Sequence, residues 1–341
     1  MVAKTPEPRN RSFVSAQKVA ERAGVSRSAV SRAFTDGASV SEETRMKVMK
    51  AAEDLGYHVN HLARGLIRER SNIVSLVVSD IANPFQSRLI EAITRTLQAH
   101  NRVAMVINTN GDDASAAQAL RQSLNYRADA TVVLTGTPAS SLVDTCLANG
   151  QHVILINRGE TPQGADRIAV SNAAAAREAF LLHQRAGAKR HVVVSSSNRT
   201  PSLVARETAY VEAATEAGVP VEVVAAGPTS YASGAAAARQ VFARSTSADA
   251  AFCVTDLLAL GFMDAARLDF GLSIPQDVGV IGFDDIDQAA WDSYGLTTFR
   301  QPIAEIAAHI TALLNGEASG EAGTSITFDA QPVWRRSVRP R

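Results

Sequence analysis

The chain has 341 residues, 46% hydrophobic and 20% charged, a composition that supports more than one folded domain and excludes a low-complexity or fibrous polymer. Net charge is zero, but residues 1–70 hold 13 Lys or Arg against 8 Asp or Glu and the remainder holds 21 against 26, the split expected of a basic head on an acidic body. No run of 18 apolar residues occurs, MVAKTPEPRNRSF lacks the apolar centre of a signal peptide, and Cys146 and Cys253 sit in apolar surroundings. A cytoplasmic chain with free buried thiols and no membrane contact is therefore expected.

Residues 1–12 read as a mobile arm and residues 13–59 as a helical head. Ser15 stands where an N-cap belongs, and Val19, Ala20 and Ala23 form an inward face. Gly24 ends this helix and Ser26 caps the next, which buries Val30 and Phe34 and leaves Arg27, Ser28, Ser31 and Arg32 outward. Two helices joined by so short a turn read either as an ordinary hairpin with a basic face or as a helix-turn-helix that enters the DNA major groove. A third helix follows, capped by Ser41, with Glu42 and Glu43 at its positive end and Val48, Ala51, Ala52 and Leu55 inward. Residues 60–70 are too short for a stable isolated helix.

From Ile73 the pattern becomes alternating strand and helix. Strands are expected at 73–78, 103–107, 130–134 and 152–157, with helices at 84–100, 114–126 and 142–149. A second cycle begins near Ala169, with helices at 173–186, 202–217, 233–243 and 257–270. Its strands are expected at 191–195, 221–225, 251–254 and 278–282. Such alternation predicts doubly wound parallel sheets in two similar lobes. Polar residues at strand ends mark a ligand crevice: Asp80, Asn157 with Arg158, Ser171 with Asn172, Thr255 with Asp256, and Asp284 with Asp285. Phosphate-binding glycine loops and HExxH are absent, and the seven histidines lack metal-ligand spacing, so neither an enzyme nor a cofactor or metal is expected.

GVSRSAVSRAF, VSEETRMKV, LGYHVNHLARGL and SDIANPF, in this order and spacing, resemble the LacI/GalR family of transcription regulators over nearly the whole chain. The resemblance implies a three-helix DNA-binding head and a hinge helix at 60–70 joined to a periplasmic-binding-protein-like body at 71–341. Its N-lobe would span about 71–168 and 298–326, and its C-lobe about 169–297 and 327–341, with crossings near Ala169, Thr297 and Ile326. It implies a repressor that binds a pseudo-palindromic operator as a homodimer and answers a small effector.

By family position Arg27 and Ser28 lead the recognition helix and set operator choice, and Arg32 also reaches bases. Arg27 suits a bidentate contact to guanine, with a phosphate contact as the alternative. Ser26, Ser31 and Ser39 are phosphate candidates, and Ala29 suits a thymine methyl. Asn60 opens the hinge, and Leu66 aligns with the leucine that wedges into the minor groove. For the effector, the family implies Asp284, Arg206 and Phe85, beside Asp80, Asn157, Arg158, Thr255 and Asp256 at strand ends. Trp291 suits stacking on a sugar ring or sealing the crevice; the alternatives are a helix cap near Asp287 for Asp284 and core positions for Phe85 and Trp291. The expected effector is a sugar, sugar acid or sugar phosphate, ahead of a purine. Two rival classes fit less well: an exported solute-binding protein would lack the basic head, and an α/β hydrolase would need a nucleophile elbow or metal cluster.

Overall fold

The computed structural model describes residues 13–35, 37–59, 71–134, 139–158, 162–244, 248–317 and 323–339. The arm at 1–12 and the hinge at 60–70, with Asn60 and Leu66, lie outside the described residues. The chain divides into two units, a head up to Ser71 and a body from Asn72 to Arg341.

In the head, α1 (Ala16–Ala23), α2 (Arg27–Ala33) and α3 (Glu42–Leu55) enclose Val19, Ala20, Val30, Ala33, Val48, Ala51 and Ala52. Ser15, Ser26 and Ser41 each accept an N–H of the helix they precede, and each such cap is worth about 1 kcal/mol. Gly24 stands at φ 67°, the left-handed conformation that stops α1 and turns the chain. Seven residues are too few for a helix to persist alone, so α2 borrows support. Arg45 donates to the Ala33 carbonyl at 2.6 Å, and the Thr35 hydroxyl donates to the Ser31 carbonyl at 2.9 Å. Phe34, expected inside, is half-buried against Tyr57, ring centroids 5.6 Å apart.

In the body the first sheet is built from β1 (Ile73–Ser79), β2 (Val103–Thr109), β3 (Ala130–Val133), β4 (His152–Ile156) and β5 (Asp166–Val170). Helices α4 (Pro84–Ala99), α5 (Asp113–Asn125) and α6 (Ser140–Ala148) connect its first four strands. The second sheet holds β6 (His191–Val194), β7 (Val221–Val224), β8 (Ala250–Cys253) and β9 (Gly279–Ile281). It is wound by α7 (Asn172–Arg185), α8 (Pro201–Glu216), α9 (Tyr231–Ala243) and α10 (Asp256–Phe270). The chain ends through β10 (Thr298–Arg300), α11 (Ile303–Asn315), β11 (Ser325–Phe328) and β12 (Gln331–Val333).

Both large sheets are parallel, with orders β11-β5-β4-β3-β1-β2 and β7-β6-β8-β9, while β10 and β12 form an antiparallel pair. In each large sheet the strand order reverses, at β1 and at β6, and the carboxyl ends beside a reversal leave a crevice. Buried β-branched strands such as β1 (0% exposed at Val74, Leu76, Val77 and Val78) supply the core of the first sheet. In the second, Gly234 of α9 and Gly261 of α10 let two helices meet backbone to backbone: a Cβ on Gly261 would lie 1.9 Å from the Tyr231 carbonyl oxygen.

The sheets themselves set the lobe limits. β5 reaches Val170 and β11 reaches Phe328 within the first sheet, whereas β10, assigned above to the N-lobe, pairs with β12. The chain therefore passes between lobes after Val170, between Arg300 and Ile303, and between Phe328 and Gln331. Each passage falls one to a few residues later in the sequence than the resemblance implies.

Candidate functional site

In the head, the exposed face of α2 carries Arg27, Ser28, Ser31 and Arg32, and Ser26 and Ser39 are exposed beside it. The Ser26 hydroxyl accepts the Ala29 N–H at 3.2 Å and lies 2.9 Å from the Ser28 hydroxyl, so the two serines are held by one another and by the helix start. Ala29, expected at a thymine methyl, is 9% exposed, more covered than Arg27, Ser28 and Ser31, which stand outside.

In the body, a crevice of about 130 Å³ gathers Asp80, Phe85, Asn157, Arg158, Arg206, Thr255 and Asp284. Asp80 directly follows β1 and is exposed. Asn83 then caps α4 by accepting the Phe85 and Gln86 N–H groups, with Pro84 at the first helical position. This start directs Phe85, Gln86 and Leu89 into the crevice; Phe85 also packs on the core. Asn157 and Arg158 follow β4. Asn157 adopts φ 53° and accepts the Val170 N–H at 2.9 Å. Arg158, 8% exposed, donates to the carbonyls of Ile156 and Leu134, and burial lowers its pKa to about 10.

Arg206 on α8 is 3% exposed and anchored at every side. Its Nε donates to Asn172 at 2.8 Å, and its Nη1 donates to the Val254 carbonyl at 2.8 Å and to Asp284 at 3.4 Å. Its guanidinium carbon lies 3.5 Å from the Phe283 ring centroid, a cation–π geometry. Asp284 also accepts from the Gln301 amide at 2.7 Å. Burial raises the Asp284 carboxyl above its usual range, and Arg206 opposes that rise. The alternative of a helix cap at Asp284 is not realised: the short 3-10 turn Asp287–Ala290 starts after Ile286 without a side-chain cap.

Asp256 lies away from the place expected of it. It is fully buried and does not line the crevice. It accepts the Thr298 hydroxyl at 2.5 Å and the Ile286 N–H at 2.9 Å, locking the turn behind Asp284. Burial raises its pKa most, followed by the Asp284 charge. Its neighbour Thr255 remains in the crevice wall and caps α10. Glu207, a charge beside Arg206 in sequence, turns away to Arg199 at 2.8 Å and to Ser195. Trp291 is 55% exposed and takes no part in the wall.

The crevice further contains Ser79, Asn83, Gln86, Asn198, Thr200, Ser202, Thr229 and Gln301, which the sequence reading missed. The strand-end rule, carried on to the loops after β6 and β7, would have found Asn198 and Thr229. The buried amide oxygens of Gln86 and Gln301 have no hydrogen-bond partner. Among the described residues no cluster of three or more His, Cys, Asp or Glu can hold a metal, and no helix is long and apolar enough to cross a membrane.

Residues 16–60 match the bacterial regulatory proteins of the lacI family, and residues 182–338 match the periplasmic binding protein-like domain. The HTH-type transcriptional regulator GalS of Salmonella typhimurium is 30% identical over 335 residues, covering 96% of this chain and 97% of that protein. The HTH-type transcriptional repressor CytR of Escherichia coli K12 is 27% identical, covering 94% and 95%. In architecture the chain is similar to the Lac repressor dimer bound to operator and the anti-inducer ONPF, with TM-score 0.82, 21% identity and coverage of 96% and 99%.

Proposed function

The chain belongs to the lacI family of bacterial transcriptional regulators, and on that premise we propose that it is a repressor whose homodimer binds a pseudo-palindromic operator and answers a sugar or sugar derivative held between its lobes. Two-fold symmetry in the protein calls for matching half-sites in the DNA. Arg27 and Ser28 read bases in this proposal, Arg32 supports them, and Ser26, Ser31 and Ser39 grip phosphates. Asn60 and Leu66, outside the described residues, are the further DNA contacts of this proposal. An effector that favours one lobe arrangement shifts that population and changes operator affinity.

One observation carries the effector reading. The Asp284–Arg206 pair faces a crevice rich in hydroxyls and amides, and two of its wall residues, Gln86 and Gln301, each keep a buried amide oxygen without a hydrogen-bond partner. A polyol supplies donors and acceptors together, and Phe85, the crevice's one aromatic among the residues named, gives a single apolar platform. A flat purine would call for more stacking surface. Related folds have been solved as a regulator–cellobiose complex and with bound ribose. Arg158 meets backbone carbonyls rather than a carboxylate, which accommodates a sugar acid or sugar phosphate as well as a neutral sugar.

The test is a thermal-shift screen with neutral sugars, sugar acids, sugar phosphates and purines, followed by gel shift on duplexes selected from random sequence. A sugar-class compound is expected to raise the melting temperature and change operator retention, and Asp284→Ala is expected to abolish both responses. An unchanged response in that variant removes Asp284 from the site; a response to purines alone overturns the sugar reading.

A further inference from the structure

The turn that presents Asp284 is conformationally costly. Asp284 and Asp285 stand in series at φ 123° and 53°, a left-handed pair that side-chain-bearing residues adopt only where surrounding bonds enforce it. Arg206 and Gln301 hold the Asp284 carboxylate, while Arg300 and Arg335 each donate to the Asp285 carboxylate at 2.6 Å. Asp256 receives the Ile286 N–H. All these partners belong to the C-lobe or, for Gln301, to the segment that leaves it after β10.

Arg88 is different, because it reaches the turn from the N-lobe. From α4 its Nη1 donates to the Asp285 carbonyl at 2.6 Å and lies 3.5 Å from the Asp287 carboxylate. The Asp287 side chain is 80% exposed, so solvent screens that ion pair and the carbonyl bond is the firmer link. Arg88 lies outside the crevice wall, yet Phe85, Gln86 and Leu89 on the same two turns of α4 line it. One helix thus presents ligand-facing side chains and, beside them, a tie to the opposite wall.

We propose that Arg88 is a positioning residue for the effector response: its bond to the Asp285 carbonyl couples α4 to the Asp284 turn, so that the two crevice walls and the turn move as one element. This rests on the crevice being the effector site. Freed from Arg88, the Asp285–Ile286 peptide keeps only its Ile286 N–H bond to Asp256, which loosens the hold on the left-handed pair and on an Arg206–Asp284 contact that is already 3.4 Å long. The effector then meets two walls that must each be ordered separately.

Hydrogen–deuterium exchange of the full chain without ligand tests the coupling, using Arg88→Met and Arg88→Lys. In Arg88→Met the amides of Asp284 and Ile286 and those of the first two turns of α4 are expected to exchange at least fivefold faster. Arg88→Lys, whose ammonium can still donate to the carbonyl, is expected to stay within about twofold of the parent. Faster exchange confined to α4, or equal exchange in the two variants, overturns the coupling. A compound that stabilises the parent in the thermal-shift screen is expected to bind Arg88→Met at least tenfold more weakly, and equal binding overturns the positioning role. If no sugar-class compound stabilises the parent, the effector reading fails, and the exchange result, which needs no ligand, reports on the tie alone.

Discussion

Replacing Tyr210 with phenylalanine removes one oxygen atom from the interior of the C-lobe, where it serves two imidazoles at once. The Tyr210 hydroxyl lies 2.7 Å from Nδ1 of His183 and 2.8 Å from Nδ1 of His191. A phenol has one proton, so it donates to one ring and accepts from the other, and the two histidines hold opposite tautomers. Tyr210 itself is fully buried, stacked on Phe252 with centroids 4.8 Å apart and edge-on to Phe180. Phenylalanine preserves those ring contacts and leaves two buried nitrogens without partners, each worth about 1–3 kcal/mol. We expect a loss of about 2–4 kcal/mol in urea denaturation at pH 7.5, or roughly 5–12 °C in melting temperature. Burial lowers the pKa of both rings, for His183 well below the ordinary histidine value and with help from the His191 charge. The folded state therefore binds fewer protons than the unfolded chain below pH about 6.5, and stability present above that pH is lost on acidification. The parent's urea midpoint should fall between pH 7.5 and 5.5. A Tyr210→Phe protein within about 0.5 kcal/mol of the parent, less than one net hydrogen bond, would refute the shared-hydroxyl argument.

Asp256 has the opposite sign. Its raised pKa means that its contribution is present below the unfolded carboxyl value of about 4 and is lost as pH rises, so it opposes the two histidines, and Asp256→Asn should steepen the fall of the urea midpoint between pH 7.5 and 5; an unchanged slope counts against it. Gly261→Ala drives a Cβ into the Tyr231 carbonyl, and because both partners are backbone we expect a loss of about 2–3 kcal/mol, with a loss under about 1 kcal/mol showing that the helices can part. On the proposed DNA reading, Arg27→Ala should change base preference at one operator position by about 1–3 kcal/mol while leaving the salt slope of binding nearly unchanged; a uniform loss across sequences would identify a phosphate contact.

The elements legible from sequence were those whose signals are local. Ser15, Ser26 and Ser41 cap the helices they precede, and Gly24 turns the chain, all within four residues of the structure they create. β5 and β10 to β12 were missed because they are short and are defined by pairing with distant strands: β5 begins with Asp166-Arg167, and β10 has three residues. α11 shows a different failure, since its apolar helical pattern at 303–315 lay beyond the motifs that drew attention. In the crevice, strand ends located Asp80, Asn157, Arg158, Thr255 and Asp284, but position along a strand does not give direction. Asp256 follows Thr255 and points behind the site, into space that Gly282 leaves open: a Cβ there would sit 2.1 Å from the Asp256 oxygen. Glu207 diverges from Arg206 because adjacent residues on a helix do not share a face.

The pairing of β5 with β11 bears on how the protein is made. Thr324, just before β11, bonds to Asp166 at the start of β5 across 158 residues of chain. At translation rates of about 5–20 residues per second, the ribosome needs roughly 8–30 s to produce the strand that completes the first sheet. Throughout that interval the outer edge of β5, with Ile168 and Val170 alongside, is an unpaired template for any extended chain nearby. Neither lobe is a contiguous stretch of sequence, so neither can finish folding during synthesis and wait for the other. The nascent protein must guard an open sheet edge until β11 emerges.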